Sequence, residues 1–128
     1  MNKIQLLSLK NQKAFDLAAK TAIKYSCVFF TVLLSNIHTD PENLSTKNLK
    51  PGRLPVFYGF KISKKIGKSH ERNLIKRRLK NIYLKFFQNS YHKVSIMFIP
   101  KRVFKDLSFV KIEEEMIKAI NWCIRRSR

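Results

Sequence analysis

From Asn11 to Tyr25, apolar side chains recur at Phe15, Ala18, Ala19 and Ala22, the spacing of a single helical face. Lys13, Lys20 and Lys24 fall opposite, and Asp16 precedes Lys20 by four residues, a favourable helix pair. The spacing predicts a first helix there, with residues 1–10 as an arm leading into it. Cys27 to Ser35 (CVFFTVLLS) is β-branched and aromatic and apolar on both faces, which predicts a central strand. Residues 36–54 carry Asn, Asp, Pro, Ser, Thr and Gly without periodicity and predict a loop of more than usual length. Val56 to Ile62 predicts a second strand, in which Gly59 marks a bulge or a close backbone approach. A basic connector, Ser63 to Ser69, leads to an amphipathic helix from His70 to Phe87. Its buried stripe is Ile75, Leu79, Ile82, Tyr83 and Phe86, with Leu74 projecting away from it and exposed. Val94 to Ile99 predicts a further strand closed by Pro100, and Ser108 caps a last helix from Phe109 to Arg125. That helix has Glu113, Glu114 and Glu115 early and Arg125, Arg126 and Arg128 at its end, the order its dipole favours. No repeat or second composition regime interrupts the chain, so residues 1–128 form a single α+β domain.

Composition narrows the function. Hydrophobic residues make up 45% of the 128, enough for a real core. Against 8 Asp+Glu stand 27 Lys+Arg, a net charge of +19. A small domain with that excess repels itself and is built to meet a polyanion, nucleic acid before membrane surface. Cys27 and Cys123 lie in apolar stretches and are too few for a disulfide scaffold or a four-ligand zinc site. They read as free thiols of a reducing compartment. The N-terminus shows no signal-peptide pattern, and the apolar run Cys27–Leu34 is far short of the ~20 residues that cross a bilayer. A soluble, cytoplasmic protein with no membrane partner is expected.

The charge is concentrated. From Lys61 to Lys85 lie ten basic residues (Lys61, Lys64, Lys65, Lys68, Arg72, Lys76, Arg77, Arg78, Lys80, Lys85) and one acid, Glu71. Arg72, Lys76 and Lys80 line up along one flank of the predicted helix, with Asn73 and Arg77 beyond them. Like charges four residues apart repel, so the row becomes favourable only beside phosphates, through charge-assisted bonds and counterion release.

Lys61 to Arg78 reads KISKKIGKSHERNLIKRR and resembles the signature of the bacterial ribonuclease P protein component. In that family a strand ends in a Ser-Lys-Lys-x-Gly connector and a helix opens with Arg-Asn-Arg-x-x-Lys-Arg. Ser63, Lys64, Lys65, Gly67, Arg72, Asn73, Lys76 and Arg77 match at the same spacing. A weaker likeness runs from about Leu9 (LKNQKAF) to the last helix. The resemblance implies an αβββαβα sandwich with a small mixed sheet and a basic crossover helix of left-handed connection, against the usual preference. It implies the small subunit of a ribonucleoprotein endonuclease that removes the 5′ leader of precursor tRNA. There the RNA subunit is catalytic and holds most of the Mg²⁺, with no organic cofactor and no obligate protein partner.

Carried over by position, Lys64, Lys65, Arg72, Asn73, Lys76 and Arg77 contact the catalytic RNA. Lys61, Ser63, Lys68, Arg78 and Lys80 complete the same region. Phe15 matches the aromatic of the family's first helix that faces the leader, in a cleft between that helix and the sheet. Phe30 is a further leader candidate on the sheet. Three departures bear on individual contacts: Leu74 replaces the third residue of the Arg-Asn-Arg triplet, Ala19 replaces a second aromatic, and Lys93 and Ile99 replace the acidic start and basic end of the last strand. The residues themselves offer no nuclease of their own. The acids are few and unpaired near the basic patch, and His38, His70 and His92 are isolated. The main alternative is a non-catalytic ribosomal or ribosome-assembly protein, which would share charge and size but has no reason to carry the SKKxGK…RN..KR constellation. A helix-turn-helix DNA binder fits less well, because the basic helix follows a strand and not another helix.

Overall fold

Five strands form one mixed sheet in the order β1-β4-β5-β3-β2. They are β1 (Ile4–Ser8), β2 (Ile23–Ser26), β3 (Phe30–Asn36), β4 (Leu54–Phe60) and β5 (Val94–Pro100), with helices α1 (Ser69–Asn89) and α2 (Phe109–Arg126). The structure is a computed structural model that describes residues 3–9, 20, 22–36, 48–89 and 92–126. Most of the predicted first helix, Phe15 included, and most of the predicted loop lie outside the described residues.

Two expectations at the N-terminal end change. The arm contains a strand: β1 pairs in parallel with β4, from Ile4 opposite Leu54 to Ser8 opposite Tyr58. The end of the predicted helix is also strand, since β2 pairs antiparallel with β3. Ile23 and Tyr25 alternate there with the more exposed Lys24 and Ser26, a period of two that the helical count of alanines obscured. Cys27 to Phe29 form the tip of the β2–β3 hairpin, closed by the Cys27 N–H on the Phe30 carbonyl at 3.0 Å. The predicted strand therefore starts three residues late. It is central as expected, lying between β5 and β2.

Parallel neighbours β4 and β5 require a crossover, and α1 provides it. Both helices contribute to the principal core on one face of the sheet. Phe30, Val32, Leu34, Val56, Ile96 and Phe98 meet Leu79, Tyr83, Phe87, Met116 and Ile120 there, all fully buried. Phe87 rather than Phe86 is the deep residue at the end of the α1 stripe. A second cluster on the other face gathers Leu7, Leu9, Phe57 and Met97. Burial of both faces explains why β3 and β5 read as nearly continuous apolar runs. Ser108 Oγ accepts the Lys111 N–H at 3.2 Å and caps α2 as predicted.

Candidate nucleic-acid interface

The connector and the start of α1 are organised around Glu71. Lys68 occupies the N-cap, its carbonyl accepting the Arg72 N–H at 3.0 Å. Glu71, three residues on, reaches back to accept the Lys68 N–H at 3.1 Å, the carboxylate half of a capping box. A Cβ at Gly67 would stand 3.2 Å from the Glu71 side chain, so glycine leaves the room that this return contact needs. The one acid of the basic window thus serves the helix terminus.

Lys61, Ser63, Lys64, Lys65, Lys68, Asn73 and Arg77 are exposed. Lys64 and Lys65 lie in a short 3-10 turn anchored by buried Ile66. That turn packs beside a second one, Arg102–Asp106, anchored by buried Phe104. Exposed Lys101, Arg102 and Lys105 therefore adjoin the connector, an extension of the basic surface that only the tertiary packing reveals. Lys101 Nζ also donates to Ser26 Oγ at 3.0 Å and to the Cys27 carbonyl, tying β5 to the hairpin tip.

Along α1 the cations divide between two flanks. Lys76, Arg77 and Lys80 face β1 and β4 and line two adjoining depressions, of about 440 and 250 Å³, that share Tyr58 and Lys80. Lys50 and Arg53, from the segment before β4, also line the larger one. Neither belonged to the predicted interface, because they lie in a stretch without periodicity. Arg78 points the other way, its guanidinium 5.3 Å from the Phe109 ring centre on α2, and Lys85 pairs with Glu113 at 3.3 Å. Arg78 thus joins two helices and leaves the row that Lys76 and Lys80 define. Arg72 is half-buried, with Nε buried and lacking a hydrogen-bond partner. Among the described residues the ion pairs are Lys85–Glu113 and Lys111–Glu115, so every cation of the groove-facing flank lacks an acidic partner.

Two predicted positions require correction. Phe30 is fully buried, packed 5.4 Å from Phe98 and 6.2 Å from Phe104 between ring centres. A ring enclosed on all sides cannot stack on a nucleotide, so Phe30 is a core residue. Leu74 is half-buried rather than exposed. His70 is exposed in the first turn of α1. Burial pushes the Cys123 thiol up to about 11, which keeps it protonated and out of any nucleophilic role at neutral pH. Among the described residues no helix is long and apolar enough to cross a membrane.

Comparison with known proteins accords with this arrangement. The family model described as Ribonuclease P matches residues 5–123. The Ribonuclease P protein component of Rickettsia bellii is 32% identical over 117 residues, covering 90% of this chain and 92% of that protein. The Ribonuclease P protein component of Helicobacter acinonychis is 28% identical over 116 residues, covering 88% and 75%. Among solved structures, the Staphylococcus aureus RNase P protein superposes with a TM-score of 0.68 at 20% identity, covering 89% of this chain and 92% of that one. The Thermotoga maritima RNase P protein gives 0.67 at 20% identity, covering 93% and 96%. The mixed sheet, the crossover helix and the matched span lead to one conclusion: the chain belongs to the ribonuclease P protein family.

Proposed function

We propose that the chain is the accessory subunit of its ribonuclease P, with cleavage carried by the RNA subunit and Mg²⁺ held mainly by that RNA. The observation that carries this reading is the unpaired cationic flank of α1, continuous with the 3-10 turns at its start. Lys64, Lys65, Lys68, Arg72, Asn73, Lys76, Arg77 and Lys80 contact the catalytic RNA, with Lys61 and Ser63 at the edge. Phe15 faces the 5′ leader of precursor tRNA. The protein's contribution is positional and electrostatic: it offsets phosphate repulsion between two RNAs and fixes the leader, so that the scissile bond is held where the RNA acts. The work is cytoplasmic, with precursor tRNA as substrate.

Reconstitution tests this. Cleavage of precursor tRNA by the cognate RNA at low Mg²⁺ rises on adding the protein, and Arg72→Ala weakens assembly whether or not substrate is present. Phe15→Ala leaves assembly intact and lowers the preference for precursor over mature tRNA by roughly 5- to 150-fold, the value of one stacked base. Recovery of ribosomal RNA in place of the ribonuclease P RNA on pull-down would overturn the reading in favour of a ribosomal protein.

A further inference from the structure

We propose that the groove between α1 and the segment before β4 takes one unpaired nucleotide of the partner RNA, its phosphate between the two walls and its base on Tyr58. The proposal rests on the functional reading above and adds a site to it.

The outer wall is pre-formed. Lys50-Pro51-Gly52-Arg53 make a tight turn in which the Arg53 N–H donates to the Lys50 carbonyl at 3.2 Å. Proline second and a glycine at φ +79° third are the residues a type II turn demands. Gln5 of β1 clamps this segment with both ends of its amide. Its Nε2 donates to the Asn48 carbonyl at 3.0 Å, and its Oε1 accepts the Lys50 N–H at 2.9 Å. Lys50 and Arg53 are therefore presented from a fixed backbone, facing Arg77 and Lys80 of α1 across about 440 Å³. Among the described residues no acid lines the space, so the four cations repel one another until an anion enters.

Ile4, Leu6, Leu84 and Tyr58 supply apolar lining to the same space. The Lys80 ammonium lies 5.1 Å from the Tyr58 ring centre and covers that face. A phosphate offers Lys80 a stronger partner than the ring does, and its withdrawal frees the ring for a base. The volume falls in the range of small-ligand sites, and a duplex cannot enter it. A nucleotide extruded from a helix docked along Lys76 and Arg77 can.

Base-specific chemical probing of the cognate ribonuclease P RNA, with and without the full-length protein, tests the site. The wild-type protein protects a discrete unpaired nucleotide. Tyr58→Leu, which keeps apolar bulk, loses that protection at saturating protein and weakens assembly about 5- to 150-fold. The Lys50→Ala, Arg53→Ala double variant changes only the surface turn, so it reads the site even if Tyr58→Leu unfolds. It weakens assembly and lowers the logarithmic salt slope by about 0.7 for each phosphate it no longer neutralises. Wild-type footprint and slope in these variants, with assembly intact, overturn the groove alone. Failure of the wild-type protein to assemble with the RNA overturns the functional reading as well.

Discussion

Tyr83 is wholly buried in the principal core, its ring parallel to that of Phe60 with 6.5 Å between centres, and its hydroxyl has no hydrogen-bond partner. Burial without a partner raises its pKa far above the ordinary phenol value and makes the hydroxyl a cost to folding. Tyr83→Phe removes that cost without a cavity, and urea denaturation is expected to show a gain of about 1 kcal/mol. Tyr83→Ala loses the ring and about 3–5 kcal/mol. Cys123 gives a pH test. With its thiol raised from 9.0 to about 11 by burial, the unfolded chain releases this proton first as pH climbs. Cys123 therefore makes stability fall between those two values, and Cys123→Ala has the shallower decline in denaturation midpoint. The phenylalanines show how far single residues were legible. Phe29 and Phe30 are adjacent in an apolar run and both pack on the principal core, but only Phe30, the first residue of β3 and opposite Pro100, is fully buried, while Phe29 in the hairpin tip is half-buried.

At the scale of elements, helix α1 was readable because its apolar stripe follows directly on a basic connector that carries a glycine, whereas the capping role of Glu71 emerged only from the structure. Strand β1 was not, because Ile4, Leu6 and Leu7 are divided between two buried faces and leave no clean alternation. The groove's outer wall was hidden for a related reason. It is fixed to β1 through Gln5, 45 residues from Lys50 in sequence, and no local pattern records it. Glu71 yields a prediction that separates capping from charge. Glu71→Gln keeps a group that can accept the Lys68 N–H while removing the patch's acid, so helix stability holds and RNA association tightens. Glu71→Ala loses the cap and costs about 0.5–2 kcal/mol by thermal or urea denaturation. Gly67→Ala crowds the same return contact and lowers stability without changing charge.

The whole molecule carries +19, and that field alone draws RNA toward any of its surfaces. Sheet order separates the field from the contacts: α1 lies over the β1 end, whereas α2 packs on β2 and β3. Lys118 and Arg125, exposed on α2, therefore add to the field without belonging to the groove-facing flank. Replacing both with alanine should slow association with the ribonuclease P RNA and leave dissociation nearly unchanged, since steering acts on encounter. Replacing Lys76 and Arg77 removes the same charge from the flank proposed to contact the RNA. It should accelerate dissociation, and each phosphate left without its cation should flatten the salt dependence by about 0.7–0.9 in logarithmic slope. Surface-plasmon kinetics at several salt concentrations distinguish the two pairs at equal net charge. Equal dissociation rates for both double variants would mean that RNA is held by the diffuse field, and α1 would lose its place as the interface.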